Sequence, residues 1–225
     1  MERSGRSSVL IVCLTLALAP AGLASVIQPT AELPPTSGGF LLGEVCVPNL
    51  LPPKGACVVG GNLSNFTQRV STLTADGQEV DAMASFTANL YDFTGGVKGG
   101  LLGPLSLTGP VGFLYMGRSS ETELGTFSTT MTELMLTGSF NGIPVIIKGD
   151  LNKTMGTTTI SAAGHDFKVD SFFDVFVEVS INGGPFVPGP RRPFVLTATP
   201  EPGTFVLGAL GIGVLGLAMR RRRTV

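Results

Sequence analysis

Tryptophan is absent from the 225 residues, tyrosine occurs twice and histidine once. Rings of tryptophan and tyrosine usually form the platforms on which sugars stack, so a lectin-like surface has little to draw on here. A lone histidine, His165, limits acid–base chemistry. Beside Asp166 it supplies half of a catalytic pair, and a base also needs a nucleophile and an orienting group placed by the fold. No Gly-x-Ser-x-Gly elbow, phosphate-binding loop or metal-ligand spacing accompanies it. His165 therefore reads as a turn residue following Gly164. The expectation is a protein that is not an enzyme and needs no cofactor. Helical periodicity is also missing between Ser25 and Thr199, and charged residues make up only 14% of the chain.

Long apolar runs occur at the two ends. Arg3 and Arg6 precede the run Val9 to Ala19, which Pro20 breaks and the small residues Ala21 to Ser25 follow. Eleven apolar residues are too few for a membrane span, which needs about 20. The pattern is that of a secretory signal peptide over residues 1–24, cut after Ala24 or, alternatively, after Ala21. At the other end, Gly203 to Met219 carries no charge and is followed by Arg220, Arg221, Arg222 and Arg223. As a helix it would span roughly 26 Å, slightly less than the hydrocarbon core, and Arg220 could snorkel to the headgroups. Arginines at the membrane centre cost about 2.5 to 3.5 kcal/mol each, so four of them act as a stop. The positive-inside tendency leaves everything upstream outside the cell. Ala209 and Gly213 form a small-xxx-small pair, which is unremarkable in a glycine-rich helix.

Immediately before this helix stand Pro200, Glu201 and Pro202. The two prolines fix their own φ angles and extend the residues before them, giving a stiff segment with two backbone donors missing. The order of tripeptide, Gly/Leu-rich span and terminal arginine cluster resembles the PEP-CTERM sorting signal. That resemblance covers about the last 25 residues, taken here as 200–225. It implies an exosortase as processing partner, cleavage at or near the tripeptide, and delivery by way of the inner membrane to the cell surface or an extracellular polysaccharide matrix. The stretch His165 to Thr199 also resembles ectodomains that carry such tails, with no activity attached.

With both ends set aside, nine lysines and arginines stand against fourteen aspartates and glutamates between Ser25 and Thr199, a balance of −5 that the terminal arginines conceal. An acidic exterior disfavours nucleic acid as a partner. Of the three cysteines, Cys13 leaves with the signal peptide. Cys46 and Cys57 remain, and an even pair in an exported chain reads as a disulfide. Closing so short a loop contributes about 3 kcal/mol in the chain-entropy model.

Alternation fills the remainder. Phe173, Val175, Val177, Val179 and Ile181 are apolar at every second position, and so are Phe86, Ala88 and Leu90. Phe127 to Leu136, Val145 to Lys148 and Thr157 to Ile160 are further β-prone runs. Glycine breaks fall at Gly95-Gly96, Gly99-Gly100, Gly117, Gly138, Asn141-Gly142, Gly149, Gly164 and Asn182-Gly183-Gly184. The pattern predicts an all-β fold, an antiparallel sandwich or barrel over residues 61–199, followed by the single C-terminal transmembrane helix. Asn141-Gly142 is the best hairpin turn. Residues 25–60 form a Pro/Gly-rich segment holding the disulfide, and Gln28 to Pro53 is expected to be mostly irregular.

On the predicted strand, Asp170, Asp174 and Glu178 share one face with Phe172 and Phe176. Carboxylates four residues apart on a strand lie about 13 Å from one another and cannot share one ion. A calcium site would need loop oxygens beside one of them, with Asp166 and Asp170 as the candidates. Three Asn-x-Ser/Thr matches, at Asn62, Asn65 and Asn152, carry no weight in a chain rich in Ser and Thr whose tail, by its resemblance, implies a bacterium. The leading expectation is an exported, non-enzymatic matrix or biofilm component. The alternative is a secreted carbohydrate-binding or calcium-stabilised adhesion module.

Overall fold

The computed structural model describes residues 25–51, 54–189 and 193–199; the signal peptide, the Pro200–Pro202 tripeptide, the 203–219 span and Arg220–Arg223 lie outside the described residues. Thirteen strands follow one another and no helix occurs among the described residues: β1 (Val26–Gln28), β2 (Gly39–Leu42), β3 (Val45–Leu51), β4 (Lys54–Leu73), β5 (Gly77–Thr94), β6 (Val97–Met116), β7 (Gly125–Phe140), β8 (Ile143–Gly149), β9 (Met155–Ala163), β10 (Asp166–Val175), β11 (Val177–Ile181), β12 (Val187–Pro188) and β13 (Phe194–Thr199).

Pairing is antiparallel throughout, and the sheet closes on itself. From β2 the hydrogen bonds run through β4, β5, β6, β7, β9, β10 and β13 and back to β2, which makes a closed barrel of eight staves. Of the two expected architectures, the barrel is the one formed. Several staves are broken strands. β8 and β9 both pair with β7, at Leu136↔Ile147 and Phe127↔Thr158, and the interruption between them carries Asp150 to Thr154. β10 and β11 make one such stave around Phe176, and β2 and β3 make another alongside β4.

The chain from Gln28 to Pro53 is thus less irregular than its composition suggests. Residues 29–38 are non-strand, but β2 and β3 together form the first stave, and β4 runs without a break through residue 60. The apolar alternation of Phe40 and Leu42, then Val45 and Val47, is present; prolines and glycines on either side obscure it. Cys46 and Cys57 sit directly opposite each other on β3 and β4 and are joined as a disulfide, with Cα atoms 3.8 Å apart.

Expected glycine breaks divide into two kinds. Asn141 and Gly142, at φ 50° and 79°, turn β7 into β8 with Phe140 opposite Ile143. That is the left-handed pair a two-residue hairpin of this type demands. Gly138, by contrast, lies inside β7, where an added Cβ would collide with the carbonyl of Ser106 on β6. Its role is close approach of two staves rather than a turn.

Candidate functional site

Interior-facing residues alternate with exterior ones along each stave, as barrel closure requires. On β5 the inward set is Val80, Ala82, Ala84, Phe86, Ala88 and Leu90, all buried. Phe40, Phe66, Phe113 and Phe173 pack mainly edge-on or tilted, with Phe40 and Phe173 centroids 5.2 Å apart and Phe113 and Phe173 5.4 Å apart. Tyr115 stacks on Phe113 at 6.3 Å. These separations suit the quadrupoles of aromatic rings.

Beyond the rings lies the end of the barrel from which β5, β7 and β10 start. It is sealed by residues 29–38 and by the 117–124 loop. Ala31 and Leu33 are buried here. Arg118 is fully buried; its guanidinium donates to the carbonyls of Ala31 (2.8 Å) and Glu121 (2.6 Å) and to the side-chain oxygen of Gln78. Burial lowers its pKa, an effect partly offset by Tyr115 and the nearby Glu123 and Glu121. Gln28 clamps the same segment by donating to the Glu32 carbonyl and accepting from the Thr36 amide, at 2.7 and 2.8 Å. Arg69 donates to the carbonyl of Pro35 at 2.8 Å. Between β7, β9 and β10 a buried hydroxyl ladder runs Thr129, Thr158, Ser171, with spacings of 3.0 and 2.8 Å.

The opposite half is different. A cavity of about 70 Å³ is lined by nineteen side chains, sixteen aliphatic and three phenylalanine, with no polar residue among them. Every stave contributes to it, among others through Leu63, Leu105, Leu136, Val145, Val179 and Leu196. Glycine turns cap the hairpins above: Gly95 and Gly96 at φ 63° and 82°, Asn141 and Gly142, and Asn182 and Gly183 at φ 54° and 69°. The ring of staves at this end passes through β3, β4, β5, β6, β7, β8, β11 and β12, and among the described residues β12 and β3 are not paired.

The residues singled out from sequence lie elsewhere. His165 is exposed on the Gly164–His165 turn between β9 and β10, with Asp166 exposed beside it. Asp170, Asp174 and Glu178 lie half-buried on the outer wall, spread over β10 and β11. Asp170 pairs with Lys168 at 2.9 Å and Glu178 with Lys148 at 3.0 Å. Asp166 and Asp170 stay four residues apart on β10, and the structure does not gather them. Among the described residues, the side chains grouped closely enough for one ion are Glu44, Cys46 and Cys57, and the disulfide consumes both sulfurs. Arg118, the most thoroughly buried charge among the described residues, was not singled out from sequence.

The first and last described strands converge on β10. Val26 of β1 pairs with Val169 and Thr197 of β13 with Phe172. Three residues of strand separate those partners, about 10 Å. β13 also closes the barrel by pairing Ala198 with Phe40 and Thr199 with Gly39. The described chain thus ends on the strand that seals the wall.

The class so defined is an antiparallel eight-stave barrel that passes directly from its closing strand into a C-terminal segment. Residues 198–223 of that segment match the family model described as the PEP-CTERM protein-sorting motif. The motif indicates an exported protein, processed by an exosortase and sorted to the cell surface. No curated protein and no solved structure matches the chain at a significant level.

Proposed function

We propose that this chain is a non-enzymatic barrel protein displayed on the cell surface or released into an extracellular polysaccharide matrix after an exosortase cuts at or near Pro200–Pro202. The observation that carries the reading is where the motif starts. Ala198 and Thr199 belong both to the matched segment and to the strand paired with β2. In sequence, Pro200–Pro202 follow that hydrogen-bonded strand directly, and prolines favour the extended form that a processing enzyme can bind. Cleavage there leaves every barrel hydrogen bond in place, so the product is the intact barrel.

Acidic residues on the outer wall keep the product soluble and away from anionic lipid. The test replaces Pro200, Glu201 and Pro202 with alanine in the producing bacterium and follows the protein by size and cell fraction. The parent protein is expected to appear as a shortened surface or released form, and the variant to accumulate uncut in the inner membrane. Identical processing of the two overturns the proposal. Retention of the cut protein by the producer's own polysaccharide would sharpen the matrix role.

A further inference from the structure

We propose that the aliphatic half of the barrel is a binding site for one slender alkyl chain, the hydrocarbon end of a small amphiphile whose polar head stays in water. The cavity of about 70 Å³ exceeds what a single water molecule requires. Water bound there would find no hydrogen-bonding side chain, and apolar cavities of this kind remain dry. Barrels of eight strands are either filled by their own side chains or keep room for one small ligand. This barrel does the first in its aromatic half and leaves room in the other.

Size decides what fits. The volume is about half that of an engineered 150 Å³ cavity that accepts benzene, so an aromatic ring is too large, whereas the terminal carbons of a single-bonded chain fit with the rest of the chain lying along the lining. An α-helix, some 10 Å across with its side chains, is excluded as well. The lining continues outward through Leu50, Ile147, Val177 and Ile181, which are only partly buried. A chain end seated in the cavity therefore keeps aliphatic contacts on its way out. No acid, base or metal ligand faces the void, so the site holds a molecule without acting on it.

The test uses the full chain in lipid nanodiscs with ¹³C-labelled leucine, valine and isoleucine methyl groups, titrated with decanoate below its micelle concentration. Saturable shifts are expected at Leu134, Val145, Val175, Val179 and Leu196, with the outer-wall methyls of Val70, Leu73 and Val97 unmoved. Val145→Ile combined with Val175→Ile fills part of the void; affinity should fall at least tenfold while the methyl spectrum stays dispersed. Non-saturating shifts shared by wall and lining methyls overturn the proposal, as does unchanged affinity in the filled variant. The site does not depend on the sorting reading, because an uncut chain would bind equally well; failure of one leaves the other standing.

Discussion

The two halves of the barrel interior answer the same packing problem in opposite ways. Toward the sealed end, rings from β2, β4, β6 and β10 interlock, and a buried arginine ties two non-strand segments across the opening. Toward the glycine-turn end, aliphatic side chains line a void and no buried polar network crosses it. The difference teaches where specificity and adaptability reside. Hydrogen bonds and ring geometry hold one arrangement, because a displaced buried donor loses a partner it cannot replace. Leucine, valine and isoleucine around a void lose only dispersion contacts when they shift. The aromatic half acts as scaffold, and the aliphatic half holds the apolar void.

Truncating a ring should expose this contrast most strongly. Phe173 is fully buried among Phe40, Phe113 and the aromatic stack. Phe173→Ala is expected to cost about 3–5 kcal/mol. Leu136→Ala, on the wall of the existing void, should cost only about 2 kcal/mol, the low end for such a change, because its neighbours already lack part of their contacts. Urea midpoints measured on both variants decide the matter. Equal losses would mean that the two halves are packed alike.

Next in size is the loss of the buried guanidinium. Arg118→Ala removes three hydrogen bonds and strands the Gln78 side chain and the Ala31 carbonyl away from water, while the carbonyl of exposed Glu121 can turn to solvent. Bonds to a charged donor contribute about 1.5–3 kcal/mol apiece, and orphaned buried partners add their own penalty. Non-additivity keeps the expected total near 3 kcal/mol. The distinguishing readout is local: residues 29–38 should become cleavable by protease while the Cys46–Cys57 hairpin at the far end stays protected. Protection of 29–38 in the variant would show that Gln28 and Arg69 seal this end without Arg118.

Alternation and turn chemistry made much of the wall legible. Asn141-Gly142 turns as its left-handed preference requires, and the inward and outward sets of β5 and β10 fall where period two puts them. Closure was not legible, because it depends on Gly39–Leu42 meeting Leu196–Thr199 from the other end of the domain, and inward alternation is the same in a sandwich. β2 and β3 were hidden by neighbouring prolines, although Phe40, Leu42, Val45 and Val47 carry the period. Glycines such as Gly138 read as breaks because one-dimensional pattern cannot tell a turn from two strands pressed together. Arg118 had no local signature at all. Its burial follows from Ala31 and Gln78, distant in sequence, both arriving at the same end. The disulfide was legible from pairing arithmetic alone, and the sorting motif from its three ordered parts.

The smallest effect tests whether the sealed half stays closed to water at high pH. Tyr115 is buried beside Phe113, and that burial raises its pKa above the ordinary tyrosine value, with the charges of Arg118 and Arg69 pulling weakly the other way. A raised folded-state pKa means that the native barrel holds the phenolic proton more tightly than the unfolded chain. Below about pH 10 both states are protonated and stability is indifferent to this group. Above it the unfolded chain releases the proton first, so stability falls as pH rises, by up to about 1.4 kcal/mol per pH unit. Urea midpoints of the parent protein should therefore drop between pH 10 and 11 more steeply than those of Tyr115→Phe, which has no proton to release there. Parallel pH profiles for the two would mean that the phenol ionises within the native barrel, and that water reaches the aromatic half after all.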